Sequence, residues 1–320
     1  MKDSFGRSID YLRLSLTDRC NLRCRYCQPV DGPYQPAADL LSREELLRVC
    51  RAAAALGITN FKVTGGEPLM RADALDFIRD LKRLDDVRTV TLTTNGQLLS
   101  PVLEDLAAIP IDAINVSLDA VSEPLYERIC GRPGAARVLE AVRRSAALGI
   151  HTKVNTVLLE ENSSEWLDIL GLAASLPIDV RYIERMPVGT VHAAEPVVPG
   201  SVILVRGQRV YPDLHPAAGG RGNGPARYYE SNALRGRLGI IAANSEPFCA
   251  QCNRLRITST GQLRPCLGQP GGTDLRSALR GGAGSEELEE LLRGAIAAKP
   301  AGHDFGSGIN PARRMNEIGG

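Results

Sequence analysis

The chain has 320 residues, 43% hydrophobic and 23% charged, with a formal net charge of +1. That balance is a folded, soluble protein's, long enough for a barrel-sized domain with an appendage, and it excludes a disordered chain and a broad nucleic-acid surface. No apolar run reaches membrane-spanning length, 49–58 being broken by Arg51, and residues 1–10 lack a signal peptide's apolar region, so a cytoplasmic protein with no membrane and no nucleic-acid partner is expected.

From Tyr11 to Pro187 short strands alternate with helices. The expected strands are 11–18, 61–65, 90–95, 113–119, 151–159 and 180–186. Between them, Ser42 and Glu45 form a capping box that opens a helix ended by Gly57. Further helices are expected at 73–84, 101–108, 135–148 and 163–175. Strands separated by helices imply right-handed βαβ units and a parallel sheet. Six units are too few to close an eightfold barrel, which points to an open partial barrel.

Five of these strands alternate in polarity. Leu12, Leu14 and Leu16 stand against Arg13, Ser15 and Thr17, and Ile114, Val116 and Leu118 against Asn115, Ser117 and Asp119. Lys62, Thr91, Thr93, Lys153 and Asn155 continue the polar set. A parallel strand buried on both faces reads as a continuous apolar run, so these polar faces predict a barrel lumen holding a polar, anionic ligand. An antiparallel sheet with one solvated face is the competing reading, and the helical connections oppose it. Beyond Met186, residues 188–237 are rich in Gly and Pro, lack helical periodicity and read as loops with a few strands. Segments 202–205 and 257–263 look extended, 286–298 helical, and the stretch from Asn310 reads as a frayed tail. Two regions are expected, 1–190 and 191–320.

Eight cysteines in such a chain point to metal or redox chemistry. Cys20, Cys24 and Cys27 stand at C-x3-C-x2-C spacing, and Cys249, Cys252 and Cys266 at C-x2-C-x13-C. A tetrahedral structural zinc wants four ligands and each set offers three, whereas a 4Fe-4S cubane on three thiolates leaves one iron open to a ligand. A zinc site completed by another cysteine, or by His215 in the second set, remains open at this point. Cys50 falls at helical spacing with Leu46, Ala53 and Ala54 and belongs to a core. Cys130 has no partner in the sequence, and neither is assigned a role. Gly65-Gly66-Glu67-Pro68 follows the second strand, where a βα loop lies on the ligand side. Arg254 and Arg256 point the same way on an extended strand directly after Cys252 and suit a phosphate or carboxylate.

The first cysteine set, with Tyr26 just before Cys27, resembles the signature of the radical S-adenosylmethionine (SAM) superfamily. In detail, the chain resembles the GTP 3′,8-cyclase family of molybdenum cofactor biosynthesis. The resemblance is carried by 11–21, Thr64-Gly-Gly-Glu-Pro-Leu-Met-Arg71, Thr93-Thr-Asn-Gly96, Asn115-Val-Ser-Leu-Asp119, Lys153-Val-Asn-Thr156, 248–256 and the terminal Ile-Gly-Gly320. It implies an α/β fold, an incomplete (βα)6 TIM-type barrel closed by a C-terminal region with a second iron–sulfur cluster. It implies a SAM-cleaving 4Fe-4S cluster on Cys20, Cys24 and Cys27, with Tyr26, Gly66, Ser117 and Met186 lining the SAM site. An auxiliary 4Fe-4S cluster on Cys249, Cys252 and Cys266 would contact the guanine of GTP. Arg13, Lys62, Thr93, Lys153, Arg254, Leu255 and Arg256 would contact GTP, chiefly its triphosphate, and Gly319 and Gly320 would reach toward the active site.

The implied reaction is radical: a 5′-deoxyadenosyl radical takes the hydrogen from C3′ of GTP, the C3′ radical adds to C8, and reduction gives 3′,8-cyclo-7,8-dihydro-GTP. An external electron donor and a downstream cyclic pyranopterin monophosphate synthase are the implied partners, with the chain a monomer or homodimer. The family commonly has Arg where this chain has Lys62, and Lys lacks the bidentate phosphate contact. Another twin-cluster radical SAM enzyme acting on peptides, or a metal-bearing interaction module, are the readings from other classes. Arg254, Arg256 and the double glycine oppose the first, and the polar lumen opposes the second.

Overall fold

The computed structural model describes residues 1–28, 33–188, 196–219, 222–303, 305 and 315–318. The barrel half runs β1 (Tyr11–Ser15), α1 (Arg43–Ala55), β2 (Asn60–Thr64), α2 (Ala74–Lys82), β3 (Thr89–Thr94), α3 (Leu103–Ala108), β4 (Ala113–Ser117), α4 (Glu123–Cys130), α5 (Ala135–Ala147), β5 (Thr152–Leu158), α6 (Trp166–Ser175) and β6 (Asp179–Glu184). The C-terminal part continues with α7 (Gly200–Val210), β7 (His215–Pro216), β8 (Arg227–Glu230), β9 (Leu238–Ile241), β10 (Arg254–Ile257), β11 (Gln262–Arg264), β12 (Thr273–Asp274), α8 (Leu275–Arg280) and α9 (Ser285–Ala297).

The local reasons are those the sequence announces. Ser42 and Glu45 make the reciprocal capping box of α1, and Gly57 supplies the left-handed residue after it, at φ +83°. One face of α1 is buried, Cys50 with it. On the strands the odd or even set of Leu, Ile, Val and Phe packs under the helices as one apolar core.

Among the described residues twelve strands form one sheet, ordered β12-β11-β10-β1-β2-β3-β4-β5-β6-β9-β8-β7. The six expected strands are mutually parallel, and the C-terminal part adds a parallel strand at each edge, β10 beside β1 and β9 beside β6. Antiparallel hairpins then finish both edges. The result is an open partial barrel, as expected, with its walls extended by the C-terminal part.

Three expectations are corrected. Segment 202–205 is not extended but lies inside α7: its β-branched residues mimic a strand, yet Ile203 is buried and Gly207 packs near Leu214 and Leu170. The Glu184 carboxylate accepts from the Gly200 N–H at the start of that helix, 2.8 Å, where the helix dipole favours an anion. Segment 257–263 is a hairpin, β10 and β11 joined through Gly261 at φ +82°. The end of the chain is not a frayed tail where it is described, since Asn316 and Ile318 are buried. Helix α4 was not anticipated at all.

Candidate active site

Register places the polar strand faces in rows. Arg256, Arg13, Lys62 and Thr91 are successive neighbours across β10, β1, β2 and β3. Thr93, Asn115 and Lys153 make a row on β3, β4 and β5, and Asn155, Arg181 and Gly239 one on β5, β6 and β9. A Cβ on Gly239 would lie 2.7 Å from Arg181 Cγ, so only glycine leaves room for that side chain. Arg181 in turn donates to Asn155, 2.8 Å, and to Asn115.

The lumen is therefore lined by Arg13, Lys62, Lys153, Arg181, Arg254 and Arg256, and these cations oppose one another. Burial holds Lys62 well below the ordinary lysine range, and Arg181, Arg13, Lys153 and Arg254 push it the same way. Burial likewise takes Arg256 down to about 9, helped by Arg13 and Arg254. Arg254 Nε and Arg256 Nη1 are buried and lack a hydrogen-bond partner. A dianionic or more highly charged ligand would relieve all of these strains together.

The first cysteine set leaves the carboxyl end of β1 and meets the loops at the carboxyl ends of β2, β3 and β4. The Gly65-Gly66-Glu67-Pro68 loop lies against residues 17–19: Gly66 N–H donates to Thr17 O, 2.6 Å, and Glu67 N–H to Arg19 O, 2.8 Å. A Cβ on Gly66 would sit 2.6 Å from Asp18 O and closer still to Arg19 O. With its N–H committed, Gly66 can meet a ligand there only through its carbonyl. Glu67 accepts from Asn95 N–H at 2.7 Å, the Thr94 hydroxyl at 2.8 Å and Leu69 N–H at 3.0 Å, which locks this loop to β3. Cys20 Sγ receives Leu22 N–H and the Asn95 amide, and Cys27 the Asn316 backbone. Tyr26 donates to Asp119, 2.6 Å. Cys130, without a partner in the sequence, hydrogen-bonds Cys24.

Burial pushes the Cys20 thiol up to about 11 and holds Cys27 well above the ordinary thiol range, and the neighbouring thiols add to both. Burial also lifts the Asp119 carboxyl to about 6 and the Glu67 carboxyl to about 7. Three thiols, those of Cys20 and Cys27 with N–H donors aimed at the sulfur, fit an iron–sulfur group, whose charge would hold them deprotonated.

The second set is at the other end of the lumen. Cys252 precedes β10, whose first residue pairs with Tyr11 at the amino end of β1, and Cys266 follows the antiparallel β11 back to that end. About 15 Å of strand separates the two ends at five residues of β1. Here burial would raise Cys252, but Arg254 and Lys299 outweigh it and bring the thiol to about 7. That basic setting suits thiolate ligands. Among the described residues no three His, Cys, Asp or Glu side chains gather tightly enough to hold one metal ion; thiolates on separate corners of a cubane need no such convergence. His215 is exposed on β7 beside Glu230.

Of the residues singled out by sequence, Arg13, Lys62, Thr93, Lys153, Arg254 and Arg256 share the lumen face. Leu255 points the other way, into the apolar core beside Leu12, and offers the lumen only backbone. Ser117 ends β4, and Met186 packs on a small cluster of Val188, Leu267 and Ile318. Gly319 and Gly320 lie outside the described residues, although Asn316 and Ile318, just before them, dock on Asp18 and on Leu267. Sequence reasoning missed Arg181 and Lys299. The alternation of β6 pointed to Arg181, and nothing local pointed to Lys299.

Residues 14–173 match the radical SAM superfamily, and residues 178–305 the family described as Molybdenum Cofactor Synthesis C. The chain is 40% identical to the GTP 3′,8-cyclase of Moorella thermoacetica over the full length of both. It is 39% identical to molybdenum cofactor biosynthesis protein 1 of Bos taurus, over 95% of this chain and 48% of that one. Among solved structures, Streptococcus suis SuiB bound to S-adenosylmethionine superposes with a TM-score of 0.62 at 17% identity, over 85% of this chain and 65% of that one, a likeness of fold. The chain belongs to the radical SAM superfamily and, within it, to the GTP 3′,8-cyclases.

Proposed function

We propose that this protein converts GTP to (8S)-3′,8-cyclo-7,8-dihydroguanosine 5′-triphosphate by hydrogen abstraction at C3′, the first step of molybdenum cofactor biosynthesis. The observation that carries the reading is the set of six lumen cations between two cysteine sets at opposite ends of the barrel. Residues 1–190 would hold SAM and one 4Fe-4S cluster on Cys20, Cys24 and Cys27; residues 191–320 would hold the auxiliary cluster on Cys249, Cys252 and Cys266. When bound, the first cluster and SAM supply a 5′-deoxyadenosyl radical.

The chain's own work is to bind, orient and shield. Tyr26, Gly66, Ser117 and Met186 border the SAM site at the carboxyl ends of the strands. Arg13, Lys62, Lys153, Arg181, Arg254 and Arg256 neutralise the triphosphate and fix the ribose between the two ends, with Thr93 on the same face. Such fixation supplies much of the rate in a reaction whose partners must meet in one geometry. Gly319 and Gly320, which lie outside the described residues, are proposed to act at the substrate. An external electron donor and a downstream cyclic pyranopterin monophosphate synthase complete the scheme. The test is anaerobic incubation with SAM, dithionite and separate nucleotides. GTP consumption matched by 5′-deoxyadenosine is expected; preferential consumption of another nucleotide or of a peptide would overturn the reading.

A further inference from the structure

Lys299 is a buried lysine just past the end of α9, 3% exposed. Its ammonium donates to Arg254 O at 2.8 Å and to Pro265 O at 2.6 Å, and it hydrogen-bonds the Cys252 side chain. Arg254 lies two residues after Cys252, and Pro265 immediately precedes Cys266. Three donors of one ammonium thus serve two of the three cysteine-bearing segments and one sulfur.

The third segment is held from the next residues. Arg7 donates to Cys249 O and Ala301 O, both 2.9 Å, and to Pro300 O at 2.6 Å. Its guanidinium is itself set by Asp3, 2.5 Å, in an ion pair buried on both sides. The link from Cys249 through Arg7 to Pro300 and Ala301 therefore fixes the stretch that carries Lys299.

A lysine buried only to clip carbonyls together is a poor solution, because an uncharged side chain avoids the cost of desolvating an ammonium. The charge makes physical sense where an anion sits against it, and the side chain in reach is a cysteine with a second cysteine segment beside it. We propose that Lys299, seated by Arg7, is a positioning residue of the second cysteine set: it fixes the spacing of the three thiol-bearing segments and sets its ammonium against the Cys252 sulfur, so that the iron–sulfur group held there is easier to reduce. This rests on the two-cluster reading above. A fixed cation beside a cluster favours the form carrying the extra electron, and hydrogen bonds to its sulfurs act in the same direction.

The test uses the full chain reconstituted anaerobically as wild type, Lys299→Met and Lys299→Gln. Iron per chain, the EPR-followed midpoint of each cluster and uncoupled 5′-deoxyadenosine formation are measured together. Both variants should keep the first cluster and its SAM cleavage, which also reports that the barrel is folded. The second cluster's midpoint should move to more negative potential in both, and its iron should be lost roughly 10–100 times more readily to a chelator. Lys299→Gln, which keeps a hydrogen-bond donor, separates charge from packing should Lys299→Met fail to fold. A wild-type midpoint and chelator resistance in Lys299→Gln would overturn the role of Lys299 and leave the two-cluster reading standing. A wild-type protein that takes up only about four irons, one cubane's worth, would overturn that reading and this proposal with it.

Discussion

The two cysteine sets have the same number of thiols and opposite surroundings. At the carboxyl ends of the strands, Cys20 and Cys27 are pushed up by burial and by each other's neighbours, and the acids Glu67 and Asp119 are buried nearby with raised pKa values. At the amino ends, Cys252 is drawn down to about 7 by Arg254 and Lys299. A reduced cluster is more negative than an oxidised one, so an apolar or acidic shell makes reduction harder and a basic shell makes it easier. The barrel thus gives one end the conditions for a strongly reducing group and the other the conditions for anion capture.

The sharpest way to break this comparison is to remove one thiol at each end. Cys24→Ser should lower 5′-deoxyadenosine formation about a thousandfold or more, the scale seen when a member of a unit that acts together is lost. Cys266→Ser should leave that cleavage in place and stop GTP consumption. Equal effects from the two variants, in a single-turnover assay under dithionite, would show that the ends do not divide the work as proposed.

Lumen cations come next in size. Arg256→Ala or Arg13→Ala should each remove charge-assisted contacts of about 1.5–3 kcal/mol, weakening GTP binding roughly 10–150-fold. Guanosine, lacking the phosphates, should bind the variants and the wild type alike in equilibrium dialysis. A uniform loss for both ligands would move these arginines from phosphate recognition to barrel stability.

At the SAM end the expected effect is smaller. Gly66→Ala puts a methyl against the carbonyls of Asp18 and Arg19, a backbone conflict of about 1–3 kcal/mol. The loop must shift, and SAM affinity should fall about tenfold while GTP binding is unchanged. Calorimetry with each ligand separately reads the difference.

What was legible in the sequence follows from which forces are local. The six strands and the lumen they enclose could be read because side chains on a strand alternate strictly, so Arg13, Lys62, Thr93 and Lys153 announce one face without any tertiary information. Alternation also shows how Leu255 differs from Arg254 and Arg256: its side chain is on the core face, so only its backbone meets the lumen. Helix α7 was hidden because Val202, Ile203 and Val205 favour strands locally, and its burial against α6 and β6 decides otherwise. The residues that organise the second cysteine set were hidden for a stronger reason. Arg7 and Lys299 reach Cys249 and Pro265 across 242 and 34 residues of chain, and the partners are backbone carbonyls, which leave no trace in side-chain type.

The smallest expected effect probes the acidic side of the comparison directly. Burial lifts the Glu67 carboxyl from its ordinary 4.5 to about 7, against the Asn95, Leu69 and Thr94 donors that favour the carboxylate. The folded chain therefore holds that proton more tightly than the unfolded chain does. Stability from this source is fully present below about pH 4.5 and is lost as pH rises through 7, because between those values the unfolded state binds fewer protons. The loss should be about 1–3 kcal/mol, read as a fall in urea midpoint of the cluster-free chain between pH 5 and pH 8. Glu67→Gln removes the titration but cannot accept from both the Asn95 N–H and the Thr94 hydroxyl as the carboxylate does, so it should lower the whole curve while flattening it. A variant curve parallel to that of the wild type would mean that the donors win over burial, that Glu67 is ionised throughout, and that the SAM end is more negative than the contrast between the two sets requires.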